Sequence, residues 1–138
     1  MLRSRIIPCL LLQKGGLVKT VQFGSPKYVG DPLNAVRIFN EKEVDELIVL
    51  DIDATAAKRE PDYPLIRNLA AECRMPLCYG GGVQTVQQAE RIISMGVEKV
   101  ALSAAAAADA VHVAPAADRL AEGAPPFALV DRHSASPV

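Results

Sequence analysis

Tryptophan is absent from this chain, and phenylalanine and tyrosine together supply only 4% of it. So few rings exclude a platform on which successive nucleic-acid bases could stack. An excess of charge of either sign is also missing. Fifteen Lys and Arg stand against sixteen Asp and Glu, giving a formal net charge of -1 and a pI near 6.1. Neither nucleic acid nor a membrane surface is therefore expected as a partner. Cysteine is scarce: Cys9, Cys73 and Cys78 are odd in number and lack Cys-x-x-Cys spacing. That spacing argues for free thiols, with Cys9 and Cys78 as small buried hydrophobes, and for a reduced cytoplasmic setting; no metal or other cofactor is expected. No apolar run is long enough to cross a bilayer. The short run Ile6–Leu12 behind Arg3 and Arg5 is broken by Pro8 and lacks a small-residue cleavage site, so it does not read as a signal peptide.

What the chain does have is a regular alternation of apolar runs and amphipathic stretches, with half of its residues hydrophobic. Strands are predicted at Ile6–Leu12, Glu46–Asp51, Met75–Gly80 and Val97–Ser103. Helices are predicted from Pro32 to about Val44, from Tyr63 to Cys73, and from Thr85 to Met95 with Gly96 closing it. The stretch from Gln13 to Gly30, polar and rich in glycine, reads as a long loop. A strand-helix repeat four times started implies α/β architecture with parallel pairing through right-handed crossovers. At 138 residues the chain is one domain's worth, and short for a closed parallel barrel. After Ser103 the texture changes to an alanine run and scattered proline. Residues 1–107 are therefore expected to form the folded unit and 108–138 an atypical tail. The tail holds both histidines, His112 and His133, read as surface residues, and one weak strand candidate, Phe127–Asp131.

In parallel α/β folds the functional groups gather at the carboxyl ends of the strands. One such end is Tyr79-Gly80-Gly81-Gly82-Val83. Glycines between a buried strand and a helix let backbone N–H groups approach a ligand, beside the positive end of the helix dipole, as a phosphate site requires. A second is Asp51-Ile52-Asp53, whose carboxylates share a face by the two-residue period. Asp51 follows four apolar residues and must be hydrogen-bonded or used. Asp53 reads equally well as a loop cap. Ser103 ends the last strand, as a further phosphate contact or a helix cap, and Lys19 in the long loop is placed to close over an anion or simply to be solvated. At the opposite strand ends Arg5, Glu46, Glu98 and Lys99 are expected to form a ring of ion pairs.

Several segments together resemble the cyclase subunit of imidazole glycerol phosphate synthase, the HisF family of histidine biosynthesis. They are Arg5-Ile6-Ile7-Pro8-Cys9-Leu10, Gly30-Asp31-Pro32, Asp45–Ile52, Gly80-Gly81-Gly82-Val83 and Gly96–Val100. The resemblance covers residues 1 to about 107. It implies the N-terminal half of a (βα)8 barrel, a lyase-type cyclisation of a phosphorylated substrate, and a glutaminase partner (HisH-like) that delivers ammonia. It further implies that Arg5, Glu46 and Lys99 form the gate where ammonia enters, that Gly81, Gly82 and Ser103 hold a phosphate, that Lys19 lies on an active-site loop, and that Asp51 lies at the catalytic face. Two departures stand out. The family's catalytic aspartate at the end of the first strand is replaced by Leu11, and the pattern fades before a fifth strand, as in a truncated or frameshifted reading frame. A paralogous branch linked to amidino sugars of surface polysaccharides is similar around Leu10-Leu11-Leu12 and Lys19-Thr20-Val21. There the ammonia passes to a separate amidotransferase. A half-barrel with open edges is also expected to self-associate or to take a partner. The remaining alternatives are a non-catalytic module that docks a glutaminase and an inactive fragment.

Overall fold

A computed structural model describes residues 3–21, 24–103 and 127–131, with side chains over 3–20 and 27–102. Four parallel strands form the centre: β1 (Cys9–Gln13), β4 (Leu47–Asp51), β5 (Leu77–Gly80) and β6 (Lys99–Ser103). Among the described residues three helices connect or flank them, α1 (Pro32–Glu41), α2 (Tyr63–Glu72) and α3 (Val86–Ser94). Each helix starts where its sequence has a cap. Asp31 accepts from Asn34 N at 3.0 Å and Asp62 from Leu65 N at 3.1 Å, each with proline in the first turn. Thr85 and Gln88 make a reciprocal capping box at α3.

The strands alternate between two environments. Leu12, Leu47, Val49, Leu77, Tyr79, Val100 and Leu102 are buried in one cluster with Val36 of α1, Ile66 and Leu69 of α2, and Ala89 and Ile92 of α3. The opposite face carries two cross-strand rows, Cys9-Ile48-Cys78-Lys99 and Leu11-Leu50-Gly80-Ala101. Leu11, Ile48 and Leu50 there are only half-buried, and Cys9 is exposed rather than buried. Among the described residues no helix covers its side, and the alternation that turns Leu12 into the core leaves Cys9 uncovered. Cys78, two strands further in, is buried as expected.

The segment expected as a loop over Gln13–Gly30 is instead largely extended. It forms β2 (Gly16–Val21) and β3 (Gly24–Gly30), an antiparallel hairpin laid against β1 with Leu11 opposite Val18 and Leu12 opposite Leu17. Lys14 and Gly15 both have positive φ, 52° and 77°, the conformation a two-residue hairpin turn needs to match the strand twist. The seventh strand, β7 (Phe127–Asp131), pairs with β6 antiparallel, Ser103 opposite Phe127. The sheet order is β3-β2-β1-β4-β5-β6-β7, an open partial (βα) barrel. The alanine run, the helix candidate over 116–122, both histidines and the rest of the 108–138 tail lie outside the described residues.

Tyr79 is wholly buried, and among the described residues its hydroxyl is the buried side-chain oxygen with no hydrogen-bond partner. Burial, with Asp51 and Asp62 nearby, pushes the phenol above its ordinary range. Tyr79→Phe is therefore expected to leave stability unchanged or raise it by about 1 kcal/mol, read by denaturant titration. A loss of similar size would mean that the hydroxyl is satisfied.

Candidate functional site

At the carboxyl end of the sheet the three glycines are pressed against their neighbours. A Cβ on Gly80 would come within 2.9 Å of Ala101 Cβ and Leu50 Cδ2. At Gly81, with φ +112°, it would run into the Asp51 carbonyl oxygen. At Gly82, with φ +73°, it would meet the Arg59 carbonyl oxygen at 2.9 Å and Ala54 Cβ at 3.0 Å. Contact requires glycine at all three positions, and conformation requires it as well at Gly81 and Gly82. The donors at the start of α3 are partly engaged within the helix. Gln88 Oε1 accepts from Gln84 N at 2.7 Å and Thr85 N at 3.1 Å, and Thr85 Oγ1 accepts from Gln88 N at 3.2 Å.

Beside the glycines sits a carboxylate pair clamped by an arginine. Asp51 Oδ1 accepts from the backbone of Asp53 at 3.3 Å and Ala54 at 3.2 Å, and its side chain is 5% exposed. Arg59 Nη2 reaches Asp53 Oδ1 at 2.7 Å and Asp51 Oδ1 at 3.6 Å. Burial first, then hydrogen bonding to Asp53, pushes the Asp51 carboxyl up to about 6. For Asp53, burial works upward but is outweighed by the hydrogen bond from Asp51, the Arg59 guanidinium and the backbone N–H of Lys14, so it lies below its ordinary range. The two acids thus come together, as their spacing implied. Arg59 had no assigned role; the signal was Lys58-Arg59-Glu60, but only the turn at Ala54–Lys58 brings it back to Asp53.

Lys19 lies on β2, exposed, with Lys27 of β3 as its Cα partner. Ser103 is the last residue of β6, and its side chain is outside the described set. Leu11 stands half-buried near the end of β1, paired with Leu50.

The opposite end of the sheet brings Arg5, Glu46 and Lys99 into one cluster. Both cations meet the same oxygen: Lys99 Nζ lies 2.8 Å from Glu46 Oε1 and Arg5 Nη2 3.2 Å. The hydrogen bond from Lys99 holds Glu46 below the usual carboxylate range, with Arg5 adding to it and partial burial opposing. Arg5 and Glu46 precede the paired strands β1 and β4, and Lys99 begins β6, one strand beyond β5, so its side chain reaches across β5 to Glu46. Among the described residues no group of three His, Cys, Asp or Glu side chains could hold a metal ion, and no helix is long and apolar enough to cross a membrane.

A family model described as "Histidine biosynthesis protein" matches residues 5–129. The chain belongs to that family. Among curated relatives, a protein of Pseudomonas aeruginosa provisionally named imidazole glycerol phosphate synthase subunit hisF2 is 60% identical over 119 residues, which cover 86% of this chain and 47% of the relative. One of Vibrio vulnificus, provisionally named subunit hisF3, is 69% identical over 105 residues, 76% of this chain and 40% of the relative. The imidazole glycerol phosphate synthase subunit HisF of Streptococcus sanguinis is 37% identical over 119 residues, 86% and 47% of the respective chains. This histidine-biosynthesis family member therefore spans about half the length of the curated relatives it matches, and its four parallel strands are a partial barrel.

Proposed function

We propose that the chain works as a HisF-type subunit in the cytoplasm, taking ammonia from a glutaminase partner (HisH-like) at the Arg5–Glu46–Lys99 end of the sheet. The observation that carries this reading is that cluster. One carboxylate oxygen holds two cations from two other segments, an arrangement that a single rotation of Glu46 would open. At the other end, the backbone of Gly81 and Gly82, with Ser103, would take a phosphate of the substrate, Lys19 would reach over it, and Asp51 would face the reaction.

Leu11 favours a second reading within the same family. A leucine can neither donate nor accept a proton, and loss of a general acid or base costs about 10²–10⁴-fold in rate. A subunit with Leu11 would pass ammonia on to a separate acceptor, an amidotransferase of the kind that makes amidino sugars, instead of closing an imidazole ring itself. The provisional hisF2 and hisF3 names of two close relatives are in keeping with a duplicated branch.

Supplying the whole chain with ammonium and the ribulosyl-aminoimidazole nucleotide separates the two. Ring closure at a rate comparable to a full-length HisF would sustain the cyclase reading. Its absence, together with co-elution of the chain with the glutaminase, is expected for the channelling role. Absence of both would leave neither standing.

A further inference from the structure

Residues 3–7, ahead of β1, are exposed throughout, and Ile6 keeps 65% of its surface in solvent. Burial therefore does not hold this segment in place, and hydrogen bonds do. Ile6 N donates to Asp45 Oδ2 at 2.6 Å, and Ile6 O accepts from Asp45 N at 3.0 Å. A single residue thus engages both backbone groups of Ile6. The bond to the carboxylate is short and charge-assisted, a class roughly twice as strong as neutral hydrogen bonds. Two residues on, Pro8 O accepts from Ile48 N at 2.9 Å, where the pairing of β1 with β4 begins. Arg5 is the residue next to the Asp45 anchor. Its side chain is 56% exposed, and its Nη2 meets Glu46 Oε1 at 3.2 Å. A pair this exposed gains little by itself, because ordering a long side chain costs entropy. Fixing the backbone beside it removes part of that cost.

We propose that Asp45 is a positioning residue for the gate: by holding both backbone groups of Ile6, it sets Arg5 where the guanidinium meets Glu46. The inference rests on the reading of this end of the sheet as the ammonia entrance. Adjacent acids divide the task, Asp45 tying the backbone beside Arg5 and Glu46 receiving the guanidinium. Lys99 reaches the same Glu46 oxygen at 2.8 Å from β6, by a route that does not pass through Ile6. The role is measurable because two effects on Glu46 have opposite signs. Loss of a nearby negative charge draws a carboxyl pKa down, and loss of a nearby cation draws it up. Lys99 first, and Arg5 with it, hold Glu46 below its usual range. A variant that only removes the Asp45 charge is thus told apart from one that releases Arg5.

The test follows the Glu46 carboxyl by carbon NMR in the whole chain, with no glutaminase present. In Asp45→Ala its titration is expected to move up, as in Arg5→Gln. Asp45→Asn lacks the charge but keeps an oxygen that accepts from Ile6 N, so there Glu46 is expected at or below its native position. Asp45→Ala added to Arg5→Gln is expected to give no further rise. Exchange at the Ile6 amide should speed up about tenfold or more in Asp45→Ala and largely recover in Asp45→Asn, with buried Val49 unchanged. Glutamate release by a HisH-type glutaminase is then measured with each variant. The stimulated part is expected to fall by similar factors in Asp45→Ala and Arg5→Gln, and to hold in Asp45→Asn. A Glu46 titration that ignores Asp45→Ala, rises equally in Asp45→Asn, or rises further in the double variant would overturn the positioning role. Faster exchange that includes Val49 would overturn it too, as a general loss of stability. Glu46 shifts as expected, with glutamate release indifferent to every variant, would uphold the positioning of Arg5 and overturn the ammonia reading alone.

Discussion

Gly81→Ala is expected to destabilise the fold by roughly 2–5 kcal/mol. Two costs combine. A φ of +112° strains any residue with a Cβ, and the new methyl would have to displace the Asp51 carbonyl, which β4 holds in place. At about 4 °C per kcal/mol for a domain of this size, the midpoint of thermal unfolding should fall by roughly 8–20 °C. Gly15→Ala is the matched control. Gly15 also has positive φ, +77°, but nothing lies within 4 Å of the place its methyl would occupy, so only the conformational cost of about 1–2 kcal/mol remains. Equal losses in the two variants would mean that the glycine turn is not pressed against β4.

The second large effect concerns Asp51 and pH. The folded chain holds the Asp51 proton up to about pH 6, whereas the unfolded chain releases it near 3.8. A carboxyl raised in this way contributes stability that is present below the unfolded value and lost as pH rises through the folded one. Glu46 and Asp53 are lowered and act oppositely, contributing stability above about pH 4 that is lost in acid. Stability should thus peak near pH 4–5 and decline toward pH 7. Asp51→Asn mimics the protonated acid, keeping an acceptor for the Asp53 and Ala54 amides and a donor for the Asp53 carboxylate. The decline above pH 4 should vanish in this variant, leaving it more stable than the native chain at pH 7 by on the order of 2 kcal/mol. Denaturant titrations across pH 3–8 read both curves. A native profile that rises from pH 4 to 6, with Asp51→Asn destabilised at pH 7, would contradict the assignment.

The parallel centre was legible because its signals are local. Asp31-Pro32, Asp62 with Pro64, and Thr85 with Gln88 mark helix starts by their chemistry, and uniformly apolar runs mark strands covered on one side and lined by neighbours on the other. The hairpin was hidden because its turn places a lysine at φ 52°, where the residue type gives no hint. Gly15-Gly16 between two apolar runs was the only cue. The pairing sense of Phe127–Asp131 depends on the path of the chain before it, which no local pattern encodes. The same contrast holds for the sites. Arg5, Glu46 and Lys99 could be placed together because all three stand at the same end of the parallel strands, although β5 separates Lys99 from Glu46. Arg59 could not, since its approach to Asp53 depends on a loop turn and not on a period.

Glutamate release by a HisH-type glutaminase, measured with and without the whole chain, tests the proposed role most directly. Addition of the native chain is expected to raise release by about fivefold or more, the scale of coupling between linked sites. Glu46→Gln, which weakens the hold on Lys99 and Arg5, is expected to lose most of that gain while still co-eluting with the glutaminase. Glutamate release that ignores the chain, or that responds equally to the native chain and Glu46→Gln, would contradict a role for this cluster in receiving ammonia.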